Sequence, residues 1–309
     1  MAREAGPPVF VGGINRSGTT LMARILGSSS VLALPPSEFL FFGKGAASEP
    51  RDCSELERRL AEILAWPRVR EWGLDQRKVL ARSRDWPVSA RSLFLLPLEA
   101  HRDRLGKPRL GEKSVLNEFR LDRIVPWFGD YRLVHVVRDP IAAYASTYAR
   151  QPPDVRRAIR WGRLWLASAS LGLQTARDDP ARHRLVRYED VTGAPRATIG
   201  EVAEFVGVPV EEDAMLGLAG YELKENSSFP AAASGTYEGA IRRGDAVDRR
   251  AAVHPRERLA LAVVCGAVAG ALGYELDRRR RPSAAVAAAW AAEMVRPRHR
   301  LRAAAGRLS

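Results

Sequence analysis

The chain has 309 residues, of which 46% are hydrophobic and 28% charged, and its formal net charge is +13. This balance is typical of a folded globular protein and excludes a chain that is disordered throughout. The length accommodates one large α/β domain or two ordinary ones, each with a full hydrophobic core. Two cysteines are too few for a disulfide framework, and the five histidines show no metal-ligand spacing. We therefore expect a reducing, intracellular environment and no histidine-built metal site.

Short apolar runs alternate along the chain with segments of helical periodicity, and this alternation predicts the fold. The predicted strands span residues 9–11, 132–137 and 184–187, and the predicted helices span residues 54–66, 89–104, 194–206 and 255–272. Such alternation favours a parallel sheet with helical crossovers. We predict an α/β, three-layer, P-loop-like fold over residues 1–281, with a helical insert at about 43–105 and a lid loop at about 221–247.

Two features concern membranes and anionic partners. The longest apolar run, residues 259–272, has 14 residues and is too short for a transmembrane helix, so we interpret it as a buried helix. No apolar leader precedes residue 9, and a cytoplasmic protein is expected. From residue 278 to the end there are nine Arg and one acidic residue. Binding of this tail to nucleic acid or to a membrane surface would be a non-enzymatic function. We favour a basic, alanine-rich helix or tail (282–309) with solvated arginines.

A glycine loop follows the first predicted strand and precedes a helix. Its pattern is Gly13-x4-Gly18-Thr19-Thr20. Backbone N–H groups and hydroxyls at a helix N-terminus form a phosphate site, whereas an ordinary turn between strand and helix would also require glycine. A P-loop kinase or NTPase has Lys after the second glycine, where this chain has Thr19, so that alternative is disfavoured.

A second anion site is predicted after the strand at 132–137. Arg138-Asp139-Pro140 places an arginine at the carboxyl end of that strand, and Ser146 follows two helical turns later. Ligands of open α/β sheets bind at this edge. Taken alone, this motif would favour a strand-ending arginine in a surface ion pair.

The segment from Phe10 to Met22 (FVGGINRSGTTLM) closely resembles the 5′-phosphosulfate loop of PAPS-dependent sulfotransferases, and is most similar to the protein-tyrosine sulfotransferases and their bacterial relatives. The resemblance implies transfer of the sulfuryl group of PAPS to a hydroxyl acceptor, with PAP as product and without a metal. It implies that Arg16 lies beside the sulfuryl group and that Arg138 and Ser146 hold the 3′-phosphate. It also implies that the 5′-phosphate is cradled by the rest of the loop, Ser17, Gly18, Thr19, Thr20 and Leu21.

The resemblance also implies which residues carry the chemistry. Glu38 follows a second strand-like run, and its residue type alone fits either a helix-start acid or a base. In the tyrosyl branch the matching position is the general base. Lys113, in Gly111-Glu-Lys-Ser114, matches a Glu-Lys-Thr-Pro pattern whose lysine stabilises the departing group. Here Ser and Val stand in place of Thr and Pro.

Three further residues match the family less closely. Ser228, with Ser227 as its alternative, lies in Asn226-Ser-Ser-Phe229, which resembles a segment whose serine contacts the transferring group. Tyr188 matches a cofactor-contacting tyrosine, although a packed aromatic residue is an equal interpretation. Arg242, or its neighbour Arg243, could be a late cation that closes over the phosphates. The acceptor stays open among phenols, alcohols, sugars and tyrosyl peptides; no nucleic-acid partner is expected, and the sequence does not address the oligomeric state.

Overall fold

The computed structural model describes residues 6–148, 150–219, 237–238, 240–242 and 249–276. Ser227, Ser228, Arg243 and the tail at 282–309 lie outside these ranges, as does most of the segment predicted as a lid loop. Arg242 is described by its backbone only. Residues 237–238 and 241–242 pair as a small antiparallel sheet within the range of that predicted loop.

A five-stranded parallel sheet forms the centre of the fold, with strand order β2-β3-β1-β4-β5. Its strands are β1 (Val9–Gly12), β2 (Leu32–Ala33), β3 (Arg109–Lys113), β4 (Arg132–Val137) and β5 (His183–Arg187). The central strand β1 places Val11 opposite Lys113 on one side and Val134 on the other. This arrangement confirms the predicted α/β class with a central parallel sheet.

The described helices pack against both faces of the sheet. They are α1 (Thr19–Gly27), α2 (Cys53–Leu64), α3 (Pro67–Arg70), α4 (Gln76–Arg82), α5 (Ala90–Leu105), α6 (Leu121–Phe128), α7 (Pro140–Tyr148), α8 (Val155–Asp178), α9 (Tyr188–Gly193), α10 (Pro195–Val206), α11 (Glu212–Gly217) and α12 (Pro255–Ala271). Successive residues of β4 alternate between the faces, since Val134 and Val136 join the core with α1 and α10. Leu133 instead joins the core with α2 and α5, and Val137 the core with α7, α8 and α12. The result is the predicted three-layer architecture.

Most predicted elements agree with the structure to within two residues. The strand predicted at 132–137 is β4, and the helix predicted from residue 194 begins at Pro195 and ends before Gly207, which has a φ of 70°. Polar β3 and the short helix α9 were not predicted. The long apolar run near the C-terminus is α12, which packs against α8. The two helices are so close that a Cβ on Gly162 of α8 would lie 3.2 Å from the side chain of Val264 of α12. Among the described residues, no helix has the length and apolar character of a transmembrane segment.

Candidate active site

All five strands of the sheet end near a residue that the sequence had singled out. The glycine loop follows β1, Glu38 comes after β2, Lys113 ends β3, Arg138 follows β4 and Tyr188 follows β5. Because parallel strands end at the same edge of a sheet, these residues meet on one side of the molecule. A cleft of about 340 Å³ lies there, and eight predicted site residues line it: Arg16, Gly18, Thr19, Thr20, Leu21, Glu38, Lys113 and Arg138.

The loop between β1 and α1 has the backbone of an anion site. Gly13, Arg16 and Gly18 have φ angles of 133°, 70° and 102°, a left-handed conformation that is unusual for arginine. Gly18 precedes the first turn of α1, where among the described residues no side chain caps the helix. The first N–H groups of α1 therefore face the cleft with the positive end of the helix dipole. This geometry suits a phosphate or sulfate group.

Buried polar side chains of the segment after β3 hold this loop in place. Gly13 donates its N–H to Glu118 Oε2 at 2.8 Å, and Asn117 Nδ2 donates to the carbonyl of Val11 at 3.0 Å. Glu118 also accepts a hydrogen bond from Ser168 Oγ at 2.6 Å. A Cβ at Gly13 would lie 2.3 Å from the carbonyl oxygen of Val136, so only glycine fits there. The loop is thus fixed by its neighbours before any ligand binds.

A line of hydrogen bonds joins the helix N-terminus to the acidic residue of the cleft. Lys113 Nζ donates to Thr20 Oγ1 at 3.0 Å and to Glu38 Oε1 at 2.7 Å. Glu38 accepts on its other oxygen from Arg68 of α3. Lys113 has three N–H donors, and these two bonds leave one that can reach a ligand. A cation, a hydroxyl and a carboxylate are thereby placed side by side in the cleft.

The two charges in this line shift each other's protonation. Burial alone would raise the pKa of Glu38, but the adjacent Lys113 and Arg68 outweigh it and hold that pKa below its usual value. Burial also lowers the pKa of Lys113, against the opposing effect of Glu38. Glu38 is therefore ionised at neutral pH, as a proton acceptor must be.

A second buried carboxylate supports the segment that carries Glu38. Glu112 accepts hydrogen bonds from Ser114 Oγ at 2.5 Å and from Asn117 Nδ2 at 2.6 Å. Ser114 Oγ in turn accepts the N–H of Leu40, two residues beyond Glu38, at 2.8 Å. Burial raises the pKa of Glu112 to about 7. Ser114, which departs from the family pattern at this place, thus ties β3 to the loop after β2.

The second predicted anion site adjoins the first. Arg138 is buried, with 3% of its surface exposed, and its guanidinium lies 4.1 Å from the ring centroid of Tyr188. The same ring faces Gly18, where a Cβ would come within 2.4 Å of it. Arg16 Nε donates to Ser146 Oγ on α7 at 2.9 Å. The loop after β1 and the β4–α7 connection are therefore in direct contact.

Some predicted residues do not line the cleft. Ser17 is buried, and its hydroxyl donates to the carbonyl of Ile14 within the loop. Ser146 and Tyr188 contact residues that line the cleft, Ser146 through Arg16 and Tyr188 through Gly18 and Arg138. The sequence did not point to Arg68 and Glu71, which lie on the cleft wall opposite the loop. Nothing in their local pattern signals a site, because α3 is a short helix on the surface.

Comparison with known proteins identifies the family. The sequence model of the Sulfotransferase family matches residues 7–212. The sulfotransferase domain of the Synechococcus PCC 7002 olefin synthase superposes with a TM-score of 0.54 at 20% identity, over 89% of this chain and 98% of that domain. The sulfotransferase domain of the curacin biosynthetic pathway superposes with a TM-score of 0.51 at 16% identity, over 89% of this chain and all of that domain (100%). No curated protein sequence matches significantly. The chain belongs to the sulfotransferase family.

Proposed function

We propose that this sulfotransferase uses PAPS as its sulfuryl donor and a hydroxyl compound as its acceptor, and releases PAP. The observation that carries the proposal is the line Thr20–Lys113–Glu38, which joins the uncapped start of α1 to a carboxylate within one cleft. Transfer requires an anion site, a cation at the leaving oxygen and a base for the acceptor proton. The three requirements are met by neighbouring side chains of the cleft.

The residues around α1 fit the 5′ end of the donor. The first turn of α1, which no side chain of the described residues caps, lines the same cleft as the Lys113 ammonium, and that ammonium is hydrogen-bonded to the Thr20 hydroxyl. Glycine is required at position 18, because a Cβ there would lie 2.4 Å from the ring of Tyr188 and because the φ angle is 102°. Arg16, on the cleft wall, supplies a second cation. This set suits a phosphate that carries a sulfuryl group.

Arg138 fits the other phosphate of the donor. It lines the same cleft, and the stacking of its guanidinium on Tyr188 holds it in one orientation. Ser146 lies on α7, the helix that follows Arg138, and its hydroxyl accepts a hydrogen bond from the cleft residue Arg16. Arginine is suited to phosphate because its planar fork binds two oxygens at once. We assign Arg138 and Ser146 to the 3′-phosphate, which distinguishes PAPS from ATP.

The chemistry needs few protein groups. PAPS supplies a sulfuryl group whose bond to the 5′-phosphate oxygen breaks as a bond to the acceptor oxygen forms, and PAP leaves. Glu38 takes the proton of the acceptor hydroxyl. Lys113 and Arg16 stabilise the negative charge that develops on the bridging and sulfuryl oxygens. Ser228 and Arg242, both from the part of the chain after α11, are further candidates from the sequence, Ser228 as a hydroxyl and Arg242 as a cation.

The experiment that tests this function measures PAP formation from PAPS with a panel of phenols, aliphatic alcohols, sugars and tyrosyl peptides. We expect PAP release that depends on one acceptor class and that is lost in Glu38→Gln. PAP release that is equal without acceptor and unaffected by Glu38→Gln would contradict the proposal, as would ATP-dependent phosphorylation of the same acceptors.

A further inference from the structure

The carboxylate assigned as the base has both of its oxygens engaged. Oε1 accepts from Lys113 and Oε2 accepts from Arg68. An acceptor hydroxyl that gives its proton to Glu38 must first hydrogen-bond to one of these oxygens. A carboxylate oxygen can accept a second hydrogen bond, but Lys113 and Arg68 both lower the basicity of Glu38, so the proton is taken most readily at an oxygen from which one of the two cations has moved away.

The two cations differ in how firmly they are held. The Lys113 side chain is 8% exposed and is bonded to Thr20 as well, so it is anchored in the floor of the cleft. The Arg68 side chain is 43% exposed and reaches Glu38 from the cleft wall. Water competes for an exposed ion pair and makes it weak. The oxygen that becomes accessible to the acceptor is therefore Oε2.

The backbone under Arg68 is fixed, so that only its side chain is free to change partner. Ser37 Oγ donates to the carbonyl of Arg68 at 2.7 Å and accepts from Trp72 Nε1 at 3.2 Å. Glu71 lines the same cleft three residues beyond Arg68, with helical backbone angles. Residues at this spacing are neighbours on one helix face, so Glu71 offers the guanidinium a second carboxylate.

We propose that Arg68 is a latch on the catalytic carboxylate: it holds Oε2 of Glu38 in the acceptor-free enzyme and moves toward Glu71 when the acceptor hydroxyl takes its place. This inference rests on the assignment of Glu38 as the base in the proposed function. Arg68 is thus a positioning residue that controls when the base is available.

The charges around Glu38 predict what the latch does to its protonation. Lys113 and the buried Glu112 face Glu38 from β3. Arg68 and Glu71 face it from the range predicted as a helical insert. The two remaining cations of the cleft wall are Arg16 from the glycine loop and Arg138 from the end of β4. Arg68 and Lys113 are the two groups that lower the pKa of Glu38. Removal of Arg68 therefore raises this pKa.

The direct test is a titration of the Glu38 carboxyl by carbon NMR in the protein labelled with ¹³C-glutamate, with Glu38→Gln to assign the signal. We expect the Glu38 pKa to rise in Arg68→Met, because the ionised carboxylate loses a cationic partner, and to return toward the wild-type value in Arg68→Lys. Arg70→Met is the matched control, since Arg70 lies on the same helix outside the cleft, and it leaves the titration unchanged. An unchanged titration in Arg68→Met overturns the latch, and this readout needs no turnover.

Kinetics then test the displacement step. In Arg68→Met we expect the acid limb of the kcat/KM profile to move to higher pH and the acceptor KM to fall by about twofold to fivefold, because the acceptor no longer competes with an ion pair. In Glu71→Gln the acceptor KM rises. A rise in acceptor KM in Arg68→Met with an unmoved acid limb would make Arg68 an acceptor-binding residue and overturn the latch. If the wild type does not consume PAPS with any acceptor, the proposed function fails, whereas the carboxyl titration still decides whether Arg68 controls Glu38.

Discussion

Arg16 donates a hydrogen bond from its Nε to the hydroxyl of Ser146 at 2.9 Å, across 130 positions of sequence. One residue belongs to the glycine loop after β1 and the other to the helix after β4. The two anion sites that the sequence suggested separately are therefore parts of one surface. Because the two anion sites are in contact in the folded chain, they suit a single ligand that carries an anionic group at each end.

Glu38→Gln tests the base directly. We expect kcat to fall by about 10²–10⁴-fold, since glutamine keeps the shape of the side chain but cannot take a proton. The dissociation constant for PAP stays near the wild-type value, because the donor is held by other residues. Steady-state PAP release and calorimetric titration measure the two quantities. Equal turnover in the variant and the wild type would remove Glu38 from the mechanism.

Lys113→Met tests the cation next to the base. We expect kcat to fall by about 10²–10³-fold, because the developing negative charge loses a preorganised donor. Glu38 also loses the group that lowers its pKa most, so the acid limb of the pH–rate profile moves to higher pH. A decrease in PAP affinity at unchanged kcat would instead make Lys113 a binding residue only.

Arg138→Ala tests the 3′-phosphate site. Charge-assisted hydrogen bonds contribute about 1.5–3 kcal/mol each, so PAP binding weakens by about one to two decades. Binding of adenosine 5′-phosphate, which has no 3′-phosphate, is the matched control and stays unchanged. An equal loss for both nucleotides would place Arg138 at the 5′ end or in the fold rather than at the 3′-phosphate.

Gly18→Ala tests the shape of the loop. A Cβ at this position would lie 2.4 Å from the ring of Tyr188, and a φ of 102° is strained for any residue other than glycine. We therefore expect the free energy of unfolding to fall by about 2–4 kcal/mol. Gly106→Ala separates the two causes, because Gly106 has a φ of 64° with open space around it and costs about 1 kcal/mol. Urea denaturation measures both. Equal losses would show that the contact with Tyr188 contributes nothing.

Glu112→Gln tests a buried carboxyl group whose pKa is raised to about 7 by burial. A raised pKa means that protonated Glu112 favours the folded state below pH 4.5, and that this contribution is lost as pH rises through 7. The variant should therefore gain stability relative to the wild type between pH 5 and 8, by on the order of 2–3 kcal/mol. Parallel stability curves for the two proteins would mean that Glu112 does not titrate in this range.

The sequence predicted the parts of the site that follow apolar strands. The loop after β1 and Arg138 after β4 were found because short apolar runs precede them and glycine or proline punctuates them. Strand β3 was missed for the opposite reason. Its residues RLGEK include the buried Glu112 and Lys113, whose partners are other polar side chains, so the strand lacks an apolar pattern.

The sequence did not predict the residues on the acceptor side of the cleft. Arg68 meets Glu38 only because Ser37 bonds to the carbonyl of Arg68 and brings α3 against the loop after β2. No local pattern encodes that contact between a surface helix and a loop 30 residues earlier. Tyr188 shows a related limit: the sequence left it open between a packed aromatic and a ligand contact, and the structure shows it packed between Gly18 and Arg138.

Calorimetric titration of the purified chain with PAP and, at the same salt concentration, with ADP and magnesium tests whether the cleft binds a nucleotide with a 3′-phosphate. We predict PAP binding in the micromolar range with little response to ADP, and a loss of at least tenfold in Arg138→Ala. Tight binding of magnesium–ADP, with no preference for a 3′-phosphate, would contradict the account and assign the cleft to a nucleoside triphosphate.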